Sequence, residues 1–261
     1  MPFRTILLLL ATGVLALSVA CGDDGDSDDS STAQPTAATS PNSANLPQGS
    51  DPVDLDPANF VAEIDHPYWP MRPGSRWVYA ETDADGTEMS VEVTVTTDTK
   101  VIQGINATVV HDIVTAGGEV IENTFDWYAQ DVDGNIWYLG EDTEEYENGE
   151  VVSTAGSWEH GVDGAMAGIA IPANPVVGMA YRQEYYAGEA EDRARVLSVS
   201  EHIEVPFGAY DDALQTEDTT PLQPDVLEHK YYAPGVGPIL AIDIAGGGRE
   251  ELVDFESQAR N

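Results

Sequence analysis

The sequence predicts an all-β fold: an antiparallel meander curled into a half-barrel, barrel or sandwich, carried behind a disordered N-terminal tether. Three observations predict it. Apolar and polar residues alternate with period two in one segment after another. Glycine-containing turn pairs recur between those segments. Only Pro57–Ile64 and Asp211–Leu214 read as brief helix.

Taken in order, residues 1–20 read as a signal peptide. Arg4 and the amino terminus form a positive end, and Ile6 to Val19 is an apolar run broken by Thr12, Gly13 and Ser18. The run is shorter than the roughly 20 apolar residues a spanning helix needs. A buried amphipathic helix is excluded because Leu7 to Leu10 are apolar on every face.

Cys21, the one cysteine in 261 residues, stands where the run stops. Ser18-Val19-Ala20-Cys21 resembles the lipobox of bacterial lipoproteins, a Leu-small-small-Cys pattern, with the leucine one place further out at Leu17. The resemblance implies a diacylglyceryl group on the Cys21 thiol and cleavage on its amino side. Ser18-Val19-Ala20 also fits an ordinary secretory cleavage site, which would release a soluble chain with a free thiol. The lipoprotein reading is preferred, because a lone thiol in an oxidising compartment is a liability. Acyl chains contribute about 0.8 kcal/mol per buried CH₂, so two suffice for stable attachment. The expected partner of Cys21 is therefore a membrane. The expected address is the outer face of the cytoplasmic membrane, or an outer membrane where the source has one.

Residues 21–55 hold the acylated cysteine and a linker rich in Asp, Ser, Thr, Ala and Pro, with no large apolar residue before Leu46. Such a segment cannot bury enough surface to offset its ordering entropy and is expected to stay disordered. Residues 56–261 form a single mainly β domain, long enough for a core without disulfides.

Within that domain, Asp85-Gly86, Gly117-Gly118, Asp133-Gly134 and Asn148-Gly149 are two-residue hairpin signals. Val91, Val93 and Val95 alternate with Glu92, Thr94 and Thr96, whereas residues 109–114 are apolar on both faces. Successive hairpins imply a meander, and a dozen or so strands curl rather than stay flat. Residues 158–178 interrupt the pattern with Gly161, Gly164, Gly168, Pro172, Pro175 and Gly178. A long loop is expected there, acting as a lid or as a plug for one end of the sheet.

Pro73-Gly74-Ser75-Arg76-Trp77-Val78-Tyr79 resembles the opening strand of a group of secreted bacterial β proteins. So do Asp126-Trp127-Tyr128-Ala129-Gln130-Asp131, Gly134-Asn135-Ile136-Trp137-Tyr138, Val205-Pro206-Phe207-Gly208 and Lys230-Tyr231-Tyr232-Ala233-Pro234-Gly235-Val236-Gly237. The resemblance runs from residue 70 to about 245 and implies a β domain outside the cytoplasm, but no activity. In architecture the chain is also similar to lipid-carrying periplasmic lipoproteins built on a curved half-barrel.

The formal net charge is −37, and Lys100 and Lys230 are the lysines. Nucleic acid is excluded as a partner, and so is docking of the domain itself onto anionic lipid. The acids are spread along the chain, which favours a solubility adaptation over a focused cation-attracting surface.

The candidate ligand-binding residues are Trp127, Tyr128, Trp137, Tyr138, Trp158 and His160. With a two-residue turn at Asp133-Gly134, Trp127 shares a face with Tyr138, and Tyr128 with Trp137. If Asn135 joins the turn, Trp127 moves to the face of Trp137. Either pairing fills a core or builds a groove wall or a sugar-stacking platform. His160 lies beside Trp158, Glu159 and Asp163 in the glycine-rich loop.

Asp131-Val132-Asp133-Gly134-Asn135 begins like a calcium loop, but Ile136 stands where the turn glycine belongs, and a hairpin turn explains the same residues. The histidines show no metal-ligand spacing. No nucleophile elbow or phosphate loop exists, so no catalytic residue, metal or cofactor is assigned. The expected function is non-enzymatic: binding of an apolar or amphiphilic ligand such as a lipid, or an envelope-associated role. The alternative is a carbohydrate- or cell-wall-binding domain, or a glycoside hydrolase with an acid pair drawn from Glu141, Asp142, Glu144, Glu145 and Glu147.

Overall fold

The computed structural model describes residues 46–258; Cys21, the signal segment and most of the linker lie outside them. In chain order the strands are β1 (Arg76–Thr82), β2 (Glu88–Ile102), β3 (Ile105–Ala116), β4 (Glu119–Gln130), β5 (Ile136–Glu147), β6 (Glu150–Ser153), β7 (Trp158–Glu159) and β8 (Met166–Ile171). They continue as β9 (Ala180–Arg182), β10 (Glu184–Tyr185), β11 (Arg193–Val205), β12 (Gly208–Thr220), β13 (Gln223–Ala233), β14 (Gly237–Asp243) and β15 (Arg249–Glu256). All pair antiparallel in one curled sheet, so the all-β expectation holds among the described residues.

The sheet is two meanders meeting at one seam. β1 pairs with β2 on one side and β15 on the other, from Arg76↔Glu256 to Thr82↔Arg249. From that seam the order runs outward through β2, β3, β4, β5 and β8, and through β14, β13, β12 and β11. Residues 180–185 then serve both ends, because β9 pairs with β11 and β10 pairs with β8.

Alternation decides what faces inward. Val91, Val93 and Val95 of β2 are buried and the residues between them are not. On β3 the buried set changes phase, from Ile105, Ala107 and Val109 to Val110, Asp112 and Val114. The first set packs outside the curl with Trp127, Leu139 and Ala167, under Leu55 and Phe60. The second faces the main core on the concave side, with Trp69, Trp77, Tyr79, Tyr128, Tyr138, Trp158, Tyr181 and Tyr232. Apolar residues on both faces of β3 therefore reflect two cores, one on each side of the sheet.

Several local expectations differ from what forms. Gly117-Gly118 and Asn148-Gly149 are two-residue turns, with Asn148 and Gly149 both at positive φ. Asp85-Gly86 and Asp133-Gly134 instead lie inside longer turns, 83–87 and 131–135. In each, an aspartate at the start accepts backbone N–H bonds from residues two and four further on. That side-chain capping stabilises the longer loop.

Asp211–Leu214 lies in β12 rather than a helix, because its flanks pair with β11 and β13. Of Pro57–Ile64 only Pro57–Asn59 is helical, a single 3₁₀ turn capped by Asp56. The long loop expected at 158–178 contains β7 and β8, and β8 pairs with β5. Gly168 does not break β8; it lets the backbone at Arg182 and Gln183 lie where a Cβ would come within 2.5 Å.

Of the 21–55 segment, Leu46 packs against the main core and Leu55 against the outer one. Arg182 N–H donates to Pro47 O at 2.7 Å, and its guanidinium donates to Gly49 O, Asp51 O and Ala167 O at 2.7–2.8 Å. Residues 46–51 are thereby strapped to the end of the sheet.

Candidate functional site

The concave face divides into two layers. Near the turns at 131–135 and 234–236 it is aromatic and aliphatic: Trp69 packs on Tyr128 and Tyr232 at 5.1 and 6.3 Å between ring centroids. Tyr128 stacks on Tyr138 at 4.9 Å, and Trp158 meets Tyr138 edge-on at 5.3 Å. The chain between Phe60 and Met71 lies across this end. It is held by Asp65 N–H to Gln130 Oε1, by Gly235 N–H to Pro67 O, and by a hydrogen bond between His66 and Pro172 O.

Two residues further along each strand, towards the turns at 117–118, 148–149 and 221–222, the inward positions become acidic. Asp126 follows Tyr128 on β4, and Glu141 stands opposite it on β5. Asp218 of β12 stands opposite Glu228 of β13, with Lys230 between Glu228 and Tyr232. Glu184 of β10 and Asp192 before β11 complete the set, and all of these side chains are buried.

Hydrogen bonds tie the layers together. Tyr138 donates to Asp126 Oδ1 at 2.9 Å, Trp158 Nε1 to Glu184 Oε2 at 2.7 Å, and Thr143 to Glu141 Oε2 at 3.1 Å. Lys230 Nζ lies 3.6 Å from both Asp218 Oδ2 and Glu228 Oε2.

Burial and mutual repulsion hold protons on these acids. Burial, then Asp112, raises Asp126 to about 7. Burial and Glu141 raise Glu184 to about 8, and burial raises Glu228 to about 7 against the pull of Lys230. Glu141 and Asp192 rise well above the usual carboxylate range, through burial and then through Asp126 and Glu184 respectively. Burial alone would lower Lys230, but Glu228 and Asp218 outweigh it and raise it. Two buried phenols, Tyr128 and Tyr181, have hydroxyls with no hydrogen-bond partner among the described residues. Asp126 and Glu141 act on Tyr128, and Asp218 acts on Tyr181.

The six expected binding residues fall on two sides of the sheet. Tyr128↔Tyr138 is a direct cross-strand pair, and a bulge sets Trp127 against Gly140. Tyr128, Tyr138 and Trp158 therefore belong to the concave face. Trp127 and Trp137 lie on the outer face, the arrangement expected if Asn135 joins the turn.

Trp127 is covered by Lys100 Nζ at 3.2 Å from its ring centroid, and Lys100 pairs with Glu159. Trp137 Nε1 donates to Asp131 Oδ2 at 2.8 Å. The Asp131 carboxylate is thus engaged by Asn135, Asp133 and Trp137 as a turn cap. His160 is buried outside the curl, its Nδ1 accepting Ala167 N–H at 3.1 Å; burial, then Arg182, lowers its pKa. Trp127 and Trp158 are 6% and 5% exposed, so they form no exposed row for stacking a sugar.

Missing from the sequence reading were Asp126, Glu184, Asp192, Asp218, Glu228, Lys230, Trp69, Tyr181 and Tyr232. A signal existed: Asp112 lies in phase with Val110 and Val114, Asp218 with Leu214, and Glu228 with Tyr232. The acids are dispersed along the chain, but the meander gathers this subset on one side.

No family model matches the chain, and no curated protein matches it. Among solved structures, one similar chain is described as an exported protein with a YmcC-like fold from Bacteroides fragilis NCTC 9343. It is 13% identical with a TM-score of 0.41, over 73% of this chain and 99% of that one. Another is described as a lipoprotein from Parabacteroides distasonis ATCC 8503, also 13% identical with a TM-score of 0.41, over 72% of this chain and 98% of that one.

Proposed function

We propose that this protein is a membrane-tethered extracytoplasmic binding protein that holds an amphiphilic ligand on the concave face of its curled sheet and does not transform it. The observation that carries this reading is the two-layer division of that face. Aromatic side chains offer large apolar contact area, and the polar groups one level above them fix orientation, the usual division of labour in a ligand site. An amphiphile has the same two-part chemistry. Cys21 at the end of the apolar run supports the tether, with acyl chains as the anchor.

The test uses three single-chain probes sharing a dodecyl tail, with maltoside, sulfate or trimethylammonium heads. Each is titrated below its micellar concentration, with tryptophan fluorescence and calorimetry as readouts. One-to-one binding of at least one probe, weakened by Trp69→Leu, is expected. If none of the three binds, the reading fails. Intact mass of the membrane-extracted chain tests the tether: a diacylglyceryl adduct on Cys21 is expected, and an unmodified chain beginning at Cys21 would remove it.

A further inference from the structure

We infer that the polar end of the concave face recognises an organic ammonium group, so that the ligand is a cationic amphiphile; this rests on the binding function proposed above.

The first ground is charge. Asp126, Glu141, Glu184, Asp192, Asp218 and Glu228 are spread along the polar level of the concave face, contributed by β4, β5, β10, β12, β13 and the lead into β11, all buried. Among the described residues Lys230 is the cationic side chain that reaches them, and it pairs with Asp218 and Glu228 at the β12–β13 side. At the β4–β5 side no side-chain cation of the described residues forms an ion pair with Asp126 or Glu141. A cation entering there would displace the protons that Asp126 and Glu141 hold and pair with the carboxylates so released.

The second ground is independent of the acids. Among the described residues the hydroxyls of Tyr128 and Tyr181, each residue 1% exposed, have no hydrogen-bond partner. A buried phenol normally finds one, and leaving it unpaired costs about 1–3 kcal/mol. Tyr128 lies beside Asp126 on β4 and opposite Tyr138 on β5, under the influence of Asp126 and Glu141, while Tyr181 lies in the same core under that of Asp218.

The third ground selects the class of cation. Among the described residues no three His, Cys, Asp or Glu side chains stand close enough to hold a metal ion. What stands beside the acids instead is a set of aromatic rings, Tyr128, Tyr138, Trp158 and Tyr232. Carboxylates combined with ring faces suit an alkylated ammonium ion, which is bulky, weakly hydrated and attracted to the ring quadrupole. A bare divalent ion would want converging oxygens and would gain little from the rings.

The experiment compares the dodecyl trimethylammonium, maltoside and sulfate probes at 0.5 M NaCl, which screens attraction to the general negative surface. The trimethylammonium probe is expected to bind at least tenfold tighter than the maltoside. Asp126→Asn/Glu141→Gln is expected to abolish that preference by weakening the ammonium probe at least tenfold, with an unchanged circular dichroism spectrum and cooperative thermal melt certifying the fold. A second variant, Tyr128→Phe/Tyr181→Phe, removes only the unpartnered hydroxyls and is expected to reduce the preference several-fold. Glu144→Gln/Glu145→Gln, on the outer hairpin, is expected to leave it unchanged.

Equal affinity for the maltoside and the ammonium, or a preference that survives both interior variants, overturns this inference and leaves the binding function standing. Tighter binding of the sulfate overturns it outright. Absence of binding by all three overturns the binding function itself.

Discussion

Asp126 and Glu141 stand directly opposite one another on neighbouring strands, both buried, with their like charges facing the same interior. Adjacent carboxylates in that setting resist double ionisation. Tyr138 relieves part of the strain by donating to Asp126, and Thr143 by donating to Glu141. The pair is a consequence of register: slide β5 by one residue and Glu141 turns outward.

A pH dependence follows. Asp126, Glu184 and Glu228 have folded pKa values of about 7, 8 and 7, all above their ordinary range. Below about pH 4 these groups are protonated whether the chain is folded or not, and they impose no penalty. As pH rises towards 8 the unfolded chain releases their protons first, so folded stability falls across that window. Melting temperature is expected to be higher at pH 5.5 than at pH 8.5. Glu184→Gln, which keeps an acceptor for Trp158, is expected to flatten the slope and to stabilise by about 1–3 kcal/mol at pH 8.5. A slope of the opposite sign in calorimetric scans would refute this account of the interior.

Arg182 fastens residues 46–51 to the sheet: its guanidinium donates to Gly49 O and Asp51 O of the segment and to Ala167 O of β8. Arg182→Met removes those donors, leaving the buried Ala167 carbonyl and the part-buried Gly49 and Asp51 carbonyls without them, at about 1–3 kcal/mol in total. Hydrogen exchange is the direct check, with faster exchange expected at residues 48–51 and at the β9–β11 pairing.

Gly168 and Gly140 are close-approach glycines. A Cβ on Gly168 would lie 2.4 Å from the Gln183 carbonyl carbon, and one on Gly140 would lie 2.2 Å from Trp158 O. Gly168→Ala is expected to destabilise by about 1–3 kcal/mol in urea titration, since backbone rather than a flexible side chain must yield. Gly140→Ala is expected to lose at least as much, because its φ of +136° is strained for any L side chain. By contrast Gly86→Ala, with nothing within 4 Å, bears only the conformational cost of its positive φ.

Cys21→Ser is expected to move the protein from the membrane fraction to the soluble extracytoplasmic fraction while leaving the thermal melt of the domain unchanged. Fractionation followed by immunoblotting reads the outcome, and retention in the membrane fraction would count against an acyl anchor.

The sheet was legible because its signal is local. Val91, Val93 and Val95, and the Asn148-Gly149 turn, announce themselves within a few residues. β8 was not legible, because Gly168 and the flanking prolines look like loop chemistry until the backbone of Gln183 is brought against them. The turn at 131–135 turned on one carboxylate, Asp131, whose capping role lengthens the loop and exchanges the faces of Trp127 and Tyr128. The acidic interior was hidden differently. Its members come from strands as far apart as β4 and β13, and in a chain with so many acids only their phase against buried neighbours marks them.

The seam between β1 and β15 has a kinetic consequence. Arg76 and Glu256 must meet across nearly the whole described chain before either meander gains its second partner. Each half can assemble from local hairpins, but joining them carries a large loop-closure entropy, and folds of high contact order fold slowly. Until the last strand docks, β1 presents an unsatisfied edge with Trp77 and Tyr79 uncovered, a template for pairing with another chain. A chain of this topology is therefore most vulnerable between emergence of its first strand and capture of its last, the interval in which a holding chaperone would matter most.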